Sequence, residues 1–210
     1  MTEYRRFRHP GTTWFFTLNL AGRRGNRLLT DRTDLLRAAF PHVKVKHPYG
    51  IDASSVVLPD HLHCILPLPD GDSDFSTRWG LIKAHFSRHL EKLSGFQKAV
   101  QNGAGEACTH GAWQRRFGEH LIRDEADYRQ HIGYIHWNPV DHGWTQSVKD
   151  WPYSSFHRYV RRGVHPENWA NDVNVSNVTA GGSDANDAMR FVPHRILGTP
   201  CAASAPGTLE

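Results

Sequence analysis

Cysteine is scarce in this chain: Cys64, Cys108 and Cys201 are the only three in 210 residues. They are odd in number and far apart, and no CxxC pair occurs. A disulfide framework and a cysteine zinc site are both excluded as expectations. Long apolar runs are missing as well. Nothing approaches the roughly 18 residues of a membrane span, and Met1-Thr2-Glu3-Tyr4-Arg5-Arg6 is not followed by the apolar stretch of a signal peptide. A reducing cytoplasm fits these absences, so the Asn174-Val175-Ser176 and Asn177-Val178-Thr179 glycosylation patterns are chance matches. No P-loop, GxGxxG, HExxH or GxSxG motif is present, and no internal repeat.

What is present is basic and unevenly spread. The formal charge is +4, but Arg5, Arg6, Arg8, Arg23, Arg24 and Arg27 crowd the N-terminal part. Residues 167–210 carry Glu167, Asp172, Asp184, Asp187 and Glu210 against Arg190 and Arg195. A basic body with a mildly acidic tail points to a polyanion partner. Residues 170–188 are small and polar, which predicts a flexible tail over 170–210 beyond one domain spanning 1–169. Met189-Arg190-Phe191-Val192-Pro193 and Ile196-Leu197 can dock back onto the body.

Along the chain, the arm up to Gly11 reads as irregular. Residues 12–20 form an aromatic and β-branched run, hence a strand in the middle of a sheet. Leu35, Leu36, Ala39, Phe40 and Val43 fall at helical spacing after an Asp31–Asp34 cap region, with Pro41 limiting that helix. Residues 51–58 and 61–67 read as strands joined by Pro59-Asp60 turn chemistry. Phe75, Trp79, Ile82, Phe86 and Leu90 predict a second helix after Asp74, and 94–110 a surface loop. Residues 112–117 are a short strand candidate. Asp124-Glu125 opens a third helix that Pro139 is expected to end at Asn138. A fourth helix is expected from Trp151, with Pro152 in its first turn. Strand–helix–strand–strand–helix–strand is the split βαβ order: an α+β, ferredoxin-like antiparallel sheet with helices on one face.

Two segments carry candidate chemistry. In Leu58-Pro59-Asp60-His61-Leu62-His63-Cys64-Ile65-Leu66, the i, i+2 spacing puts His61 and His63 on one face of a strand, where two imidazoles can bind one divalent ion. With 15 histidines in the chain, the spacing alone is weak. In Tyr134-Ile135-His136-Trp137-Asn138-Pro139, Tyr134 and Asn138 share a helix face. A phenol of free pKa near 10 is a useful nucleophile toward phosphate when a cation draws off charge. The bland alternative for Tyr134 is a half-buried helix aromatic. His136, two residues on, points elsewhere and is left out of the site.

These segments, extended through Pro139-Val140-Asp141-His142-Gly143, resemble the REP-associated tyrosine transposases, relatives of the single-tyrosine HUH transposases of insertion sequences. The similarity also runs through Gly11-Thr12-Thr13-Trp14-Phe15-Phe16-Thr17, Asp74-Phe75-Ser76-Thr77-Arg78-Trp79, Trp113-Gln114-Arg115-Arg116-Phe117 and Asp150-Trp151-Pro152-Tyr153-Ser154-Ser155-Phe156-His157. The resemblance implies that His61, His63 and Asn138 hold Mg²⁺ or Mn²⁺, two nitrogens favouring Mn²⁺, and that Tyr134 is the nucleophile. It implies cleavage and rejoining of single-stranded DNA at repetitive extragenic palindromic (REP) hairpins through a 5′-phosphotyrosine, by a monomer in the nucleoid-associated cytoplasm. Insertion-sequence relatives often have Gln at the Asn138 position. From charge and position, Arg5, Arg6, Arg8, Arg78, Lys83, Trp113, Arg115 and Arg116 are the expected DNA contacts. Two other classes remain open: a hairpin-binding protein without catalysis, and a metal nuclease using activated water.

Overall fold

The computed structural model describes residues 11–50, 54–94 and 112–170. The arm with Arg5, Arg6 and Arg8, most of the 94–110 loop and the expected tail from residue 171 onward lie outside the described residues, so the domain boundary proposed at 169 is not tested by them.

The sheet is built around β1 (Thr13–Asn19). Its partner β3 (His61–Pro67) runs antiparallel beside it, with Thr17 opposite His63 and Asn19 opposite His61. β2 (Ser55–Val57) pairs with the far side of β3, and β4 (Gly118–Leu121) with the far side of β1. The order is therefore β2-β3-β1-β4, the predicted split βαβ sheet. The Pro59-Asp60 turn is closed by Leu58 N–H donating to His61 O at 2.8 Å.

Alternation along each strand sends side chains to two cores. Trp14, Phe16, Leu18, Leu62, Cys64 and Leu66 face α2 (Thr33–Lys46) and α3 (Phe75–Ser94). A single helical turn, α1 (Leu28–Asp31), precedes α2. The predicted apolar stripes are buried: Leu35, Leu36, Ala39 and Val43 on α2, and Phe75, Trp79, Ile82, Phe86 and Leu90 on α3. Pro41 does not end α2; it only removes the N–H that would reach Arg37.

The opposite face is also covered. Phe15, Val56 and Ile65 pack against Ile132, Tyr134, Ile135, Trp137 and Val140 of α4 (Glu125–Asp141), joined by Trp151 and by Phe156 of α5 (Phe156–Arg161). Helices therefore cover both faces of the sheet and not one as expected: α2 and α3 lie on one side and α4 and α5 on the other, because the second face of β1, β2 and β3 is apolar too.

Three boundaries differ from those read in the sequence. α4 continues through Pro139 to Asp141, because a proline inside a helix loses only one hydrogen bond if its neighbours hold it. The stop comes at Gly143, at φ +69°, where its left-handed backbone favours glycine. The fourth strand begins after Phe117, not at Ala112: Trp113 makes only a single bridge, to Leu20. The fourth helix begins at Phe156, not Trp151. Residues 152–155 instead form a turn bridged to the β2 edge at Ser154 and Val56, with Val57 N donating to Tyr153 O and Ser155 N to Ser55 O, and Trp151 Nε1 donating to Val57 O at 3.0 Å.

Phe16 is fully buried between Phe75, Trp79 and Phe117. Phe16→Ala is expected to lower unfolding free energy by about 3–5 kcal/mol, read as a lower urea midpoint with unchanged slope.

Candidate active site

The α4 side of the sheet gathers the predicted polar groups. His61 and His63 both point off β3 toward this layer, each almost wholly buried, with ring centroids 5.0 Å apart. Tyr134 comes down from α4 until its hydroxyl lies 3.4 Å from His63 Nε2. That is a long contact, but it makes the phenol and the imidazole neighbours. Asn138 follows one helical turn later and is 1 % exposed. Both of its side-chain polar atoms are buried without a hydrogen-bond partner. Such orphaned atoms are costly inside a protein and call for a ligand.

The histidines are held from behind. His61 Nδ1 donates to Asp60 Oδ1 at 2.6 Å, and Asp60 Oδ2 accepts from Arg23 Nε at 2.8 Å. His63 Nδ1 shares a 2.9 Å hydrogen bond with Thr17 Oγ1, its cross-strand partner in the register. Phe15 stacks on His63 at 5.5 Å and meets Tyr134 edge-on at 5.9 Å. With both Nδ1 atoms engaged, the ring orientations are fixed and the Nε2 atoms are left to face the site, that of His63 toward the Tyr134 hydroxyl.

Burial sets the electrostatics. It pushes His63 well below the ordinary imidazole range, and the neighbouring His61 adds to the shift. It pushes the Tyr134 hydroxyl up to about 12, reinforced by Asp141 and partly offset by the Asn138 amide, whose polar contact falls short of hydrogen-bond geometry. Burial also works to raise Asp60, but the hydrogen bonds from His61 and Arg23 outweigh it and bring the carboxyl down to about 2. His142, whose ring lies 5.1 Å from His61, is lowered to about 4 by burial and by His61.

Asp60, Arg23, Thr17 and His142 were given no role in the site from the sequence. Asp60 was legible in part, as the residue directly before the histidine pair. Thr17 needs the strand register, and Arg23 and His142 need tertiary structure. Setting His136 aside fits its position: Nε2 lies 3.0 Å from Ser155 Oγ, and the ring packs against Phe156 and Tyr159.

The expected DNA contacts divide. Arg115 and Arg116 are exposed. Arg78 is 2 % exposed and is used internally, donating to Pro48 O, Asp74 O and the Asp72 carboxylate. Lys83 is buried and donates to Gln114 O at 3.0 Å, and Trp113 is fully buried against Phe86. These three are scaffold in this conformation, because amphipathic side chains read as surface in a sequence are here folded under it. A cavity of about 440 Å³ between α2, β2 and residues 152–158 contains none of the four central residues.

The split βαβ sheet thus presents two strand histidines to a tyrosine on a covering helix, an HUH-like cluster on a transposase-type fold. Comparison with known proteins agrees. The chain is 48 % identical over 174 residues to the REP-associated tyrosine transposase of Escherichia coli (strain K12), covering 82 % of this chain and 93 % of that protein. It is 40 % identical over 176 residues to a Haemophilus influenzae protein assigned by name to the same family, covering 83 % and 97 %. A solved structure of a REP-associated tyrosine transposase bound to a REP hairpin superposes with a TM-score of 0.70 at 46 % identity, covering 88 % of this chain and 99 % of that one. No family model matches. The chain belongs to the REP-associated tyrosine transposases.

Asp60 has a sharp pH consequence. Its folded pKa is depressed, so its stabilising contribution is present above the unfolded value near 3.9 and is lost as pH falls toward about 2. Asp60→Asn is therefore expected to be less stable than the parent at neutral pH, with the gap closing as pH falls through that window. Urea unfolding of both proteins across the window measures it.

Proposed function

We propose that this protein cleaves and rejoins single-stranded DNA beside REP-type hairpins, with Tyr134 as nucleophile and His61, His63 and Asn138 as ligands of Mg²⁺ or Mn²⁺. The observation that carries the reading is Asn138: a fully buried amide with neither polar atom partnered, one turn beyond a tyrosine whose hydroxyl faces His63. The donor set fits a divalent ion. Each histidine has its Nδ1 occupied by Asp60 or Thr17, and Asn138 offers an oxygen with no other use. When bound, the ion would polarise the scissile phosphate and offset charge developing on it.

The chain's own residues account for the rest. Tyr134 Oη attacks phosphorus, forming an O–P bond as the bond to the 3′ oxygen breaks. The phenol loses its proton and the departing 3′ oxygen gains one. The product is a 5′-phosphotyrosine and a free 3′-OH. Attack by a 3′-OH reverses the step, so no outside energy source is required. Because burial holds the phenol near 12, it rests protonated at neutral pH, and deprotonation accompanies attack. Thr17, Phe15 and Asp60 keep the two rings in place, which limits the reorganisation needed at that moment. The known relative bound to a REP hairpin supports a hairpin substrate, and Arg115 and Arg116 supply exposed positive charge for its phosphates.

A second reading, hairpin binding without cleavage, draws on the burial of Tyr134, which is 5 % exposed. A phenol this enclosed meets a phosphate only after local opening. The two readings separate in one experiment. With a single-stranded REP hairpin and Mn²⁺, wild type is expected to give free 3′-OH ends and rejoined strands. Tyr134→Phe is expected to lose both by at least about 10³-fold while its hairpin affinity changes little. Asn138→Ala is expected to shift the Mn²⁺ requirement at least about tenfold upward. Cleavage by Tyr134→Phe at the wild-type rate assigns the reaction to activated water, and absence of cleavage by wild type with either metal leaves binding alone.

A further inference from the structure

A second group of ligand-type side chains lies nearer the start of α4, outside the site above. Asp127 and His131 are four residues apart and share a helix face, and His120 meets them from β4. One nitrogen of each histidine and one oxygen of Asp127 lie within 4.8 Å of one another. His120 Nε2 is 3.0 Å from Asp127 Oδ2, and His131 Nδ1 is 3.1 Å from Asp127 Oδ1. The two imidazoles stack at 4.5 Å. Phe15 touches both histidine groups, at 4.7 Å from His131 and 5.5 Å from His63.

His131 carries the independent observation. Its Nδ1 also bonds the Asp127 backbone carbonyl at 2.7 Å. A carbonyl only accepts, so Nδ1 holds the proton of the neutral ring and Nε2 keeps the lone pair. That Nε2 is buried and has no partner, in a side chain 1 % exposed. An imidazole held in one tautomer by a backbone carbonyl is the usual support for a metal-ligating histidine. Asp127 is fixed in its turn by Arg123, whose backbone N–H and Nε both donate to Oδ2.

We propose that His120, Asp127 and His131 form a second site for a zinc-type divalent cation, one that fastens the first turns of α4 to β4. Two imidazoles, one carboxylate and a water are an ordinary zinc donor set. Tetrahedral zinc with bonds of about 2.0 Å keeps neighbouring ligand atoms about 3.3 Å apart, so the group must close somewhat on binding, with His131 presenting Nε2 and not the Nδ1 that lies beside Asp127. His120, with a third of its side chain exposed, has the freedom to swing inward. The ion would set the height of α4 above the sheet and, two turns along, that of Tyr134. The opposing account is an ion-free cluster in which Asp127 is satisfied by Arg123 and by His120 Nε2 donating to it.

The test uses the full chain with the first site removed by His61→Ala and His63→Ala. Purified without chelator, it is expected to retain about one zinc per chain by elemental analysis, and to give the visible absorption of four-coordinate Co²⁺ on exchange. Adding His120→Ala is expected to cut occupancy at least about tenfold, and chelator should lower the melting temperature only while His120 is present. Should the double variant not fold, wild type and His120→Ala are compared directly, and loss of one equivalent is the expected result. No firmly held metal in the folded double variant, or equal occupancy with and without His120, overturns the site. Tyr134 adduct formation is scored separately, so this proposal and the proposed function fail independently.

Discussion

The antiparallel pairing of β1 with β3 is the constraint on which the rest of the molecule depends. It sets Thr17 opposite His63 and Phe15 opposite Ile65. A shift of one residue would turn every β3 side chain over: the histidines would enter the α2–α3 core and Leu62 and Cys64 would face α4. The aromatic run of β1 resists that shift because both of its faces are committed. Trp14, Phe16 and Leu18 are locked among α3 aromatics on one side, and Phe15 is wedged among His63, His131 and Tyr134 on the other.

Placing two imidazoles, a phenol and an amide in that second layer is costly, and the surroundings show how the cost is met. His61 and His63 each give one nitrogen to a fixed oxygen. Asp60 remains charged because Arg23 and His61 hold it there. Tyr134 is kept protonated by burial. Of these four side chains, Asn138 is the one with both polar atoms buried and unpaired. An otherwise well-satisfied site with one deliberate deficit fits a ligand position better than it fits a packing error. The same logic, applied to His131 Nε2, marks the second cluster on α4.

Much of this was legible in the sequence. Period-two alternation placed His61 and His63 on one face, the i, i+4 spacing joined Tyr134 to Asn138, and the order of elements gave the split βαβ sheet. What stayed hidden has physical reasons. Pro139 reads as a helix stop, yet the packing of Trp137 and Val140 into the second core carries α4 past it. Arg78, Lys83 and Trp113 read as a nucleic-acid surface, but a long cation can place its charge on a backbone carbonyl and bury its stem, as Lys83 does on Gln114. Thr17 had no signal of its own; its role exists only through the strand register.

The central claim is that one covalent bond, between Tyr134 and a 5′ phosphate, lies on the reaction path. It is tested most directly by incubating the full chain with a single-stranded REP hairpin and Mn²⁺, digesting the DNA and the protein, and locating the nucleotide remnant by peptide mass spectrometry. The account predicts a phosphate-linked nucleotide on Tyr134 and on no other residue. Cut DNA with no remnant on the protein, or a remnant on a different side chain, would contradict it.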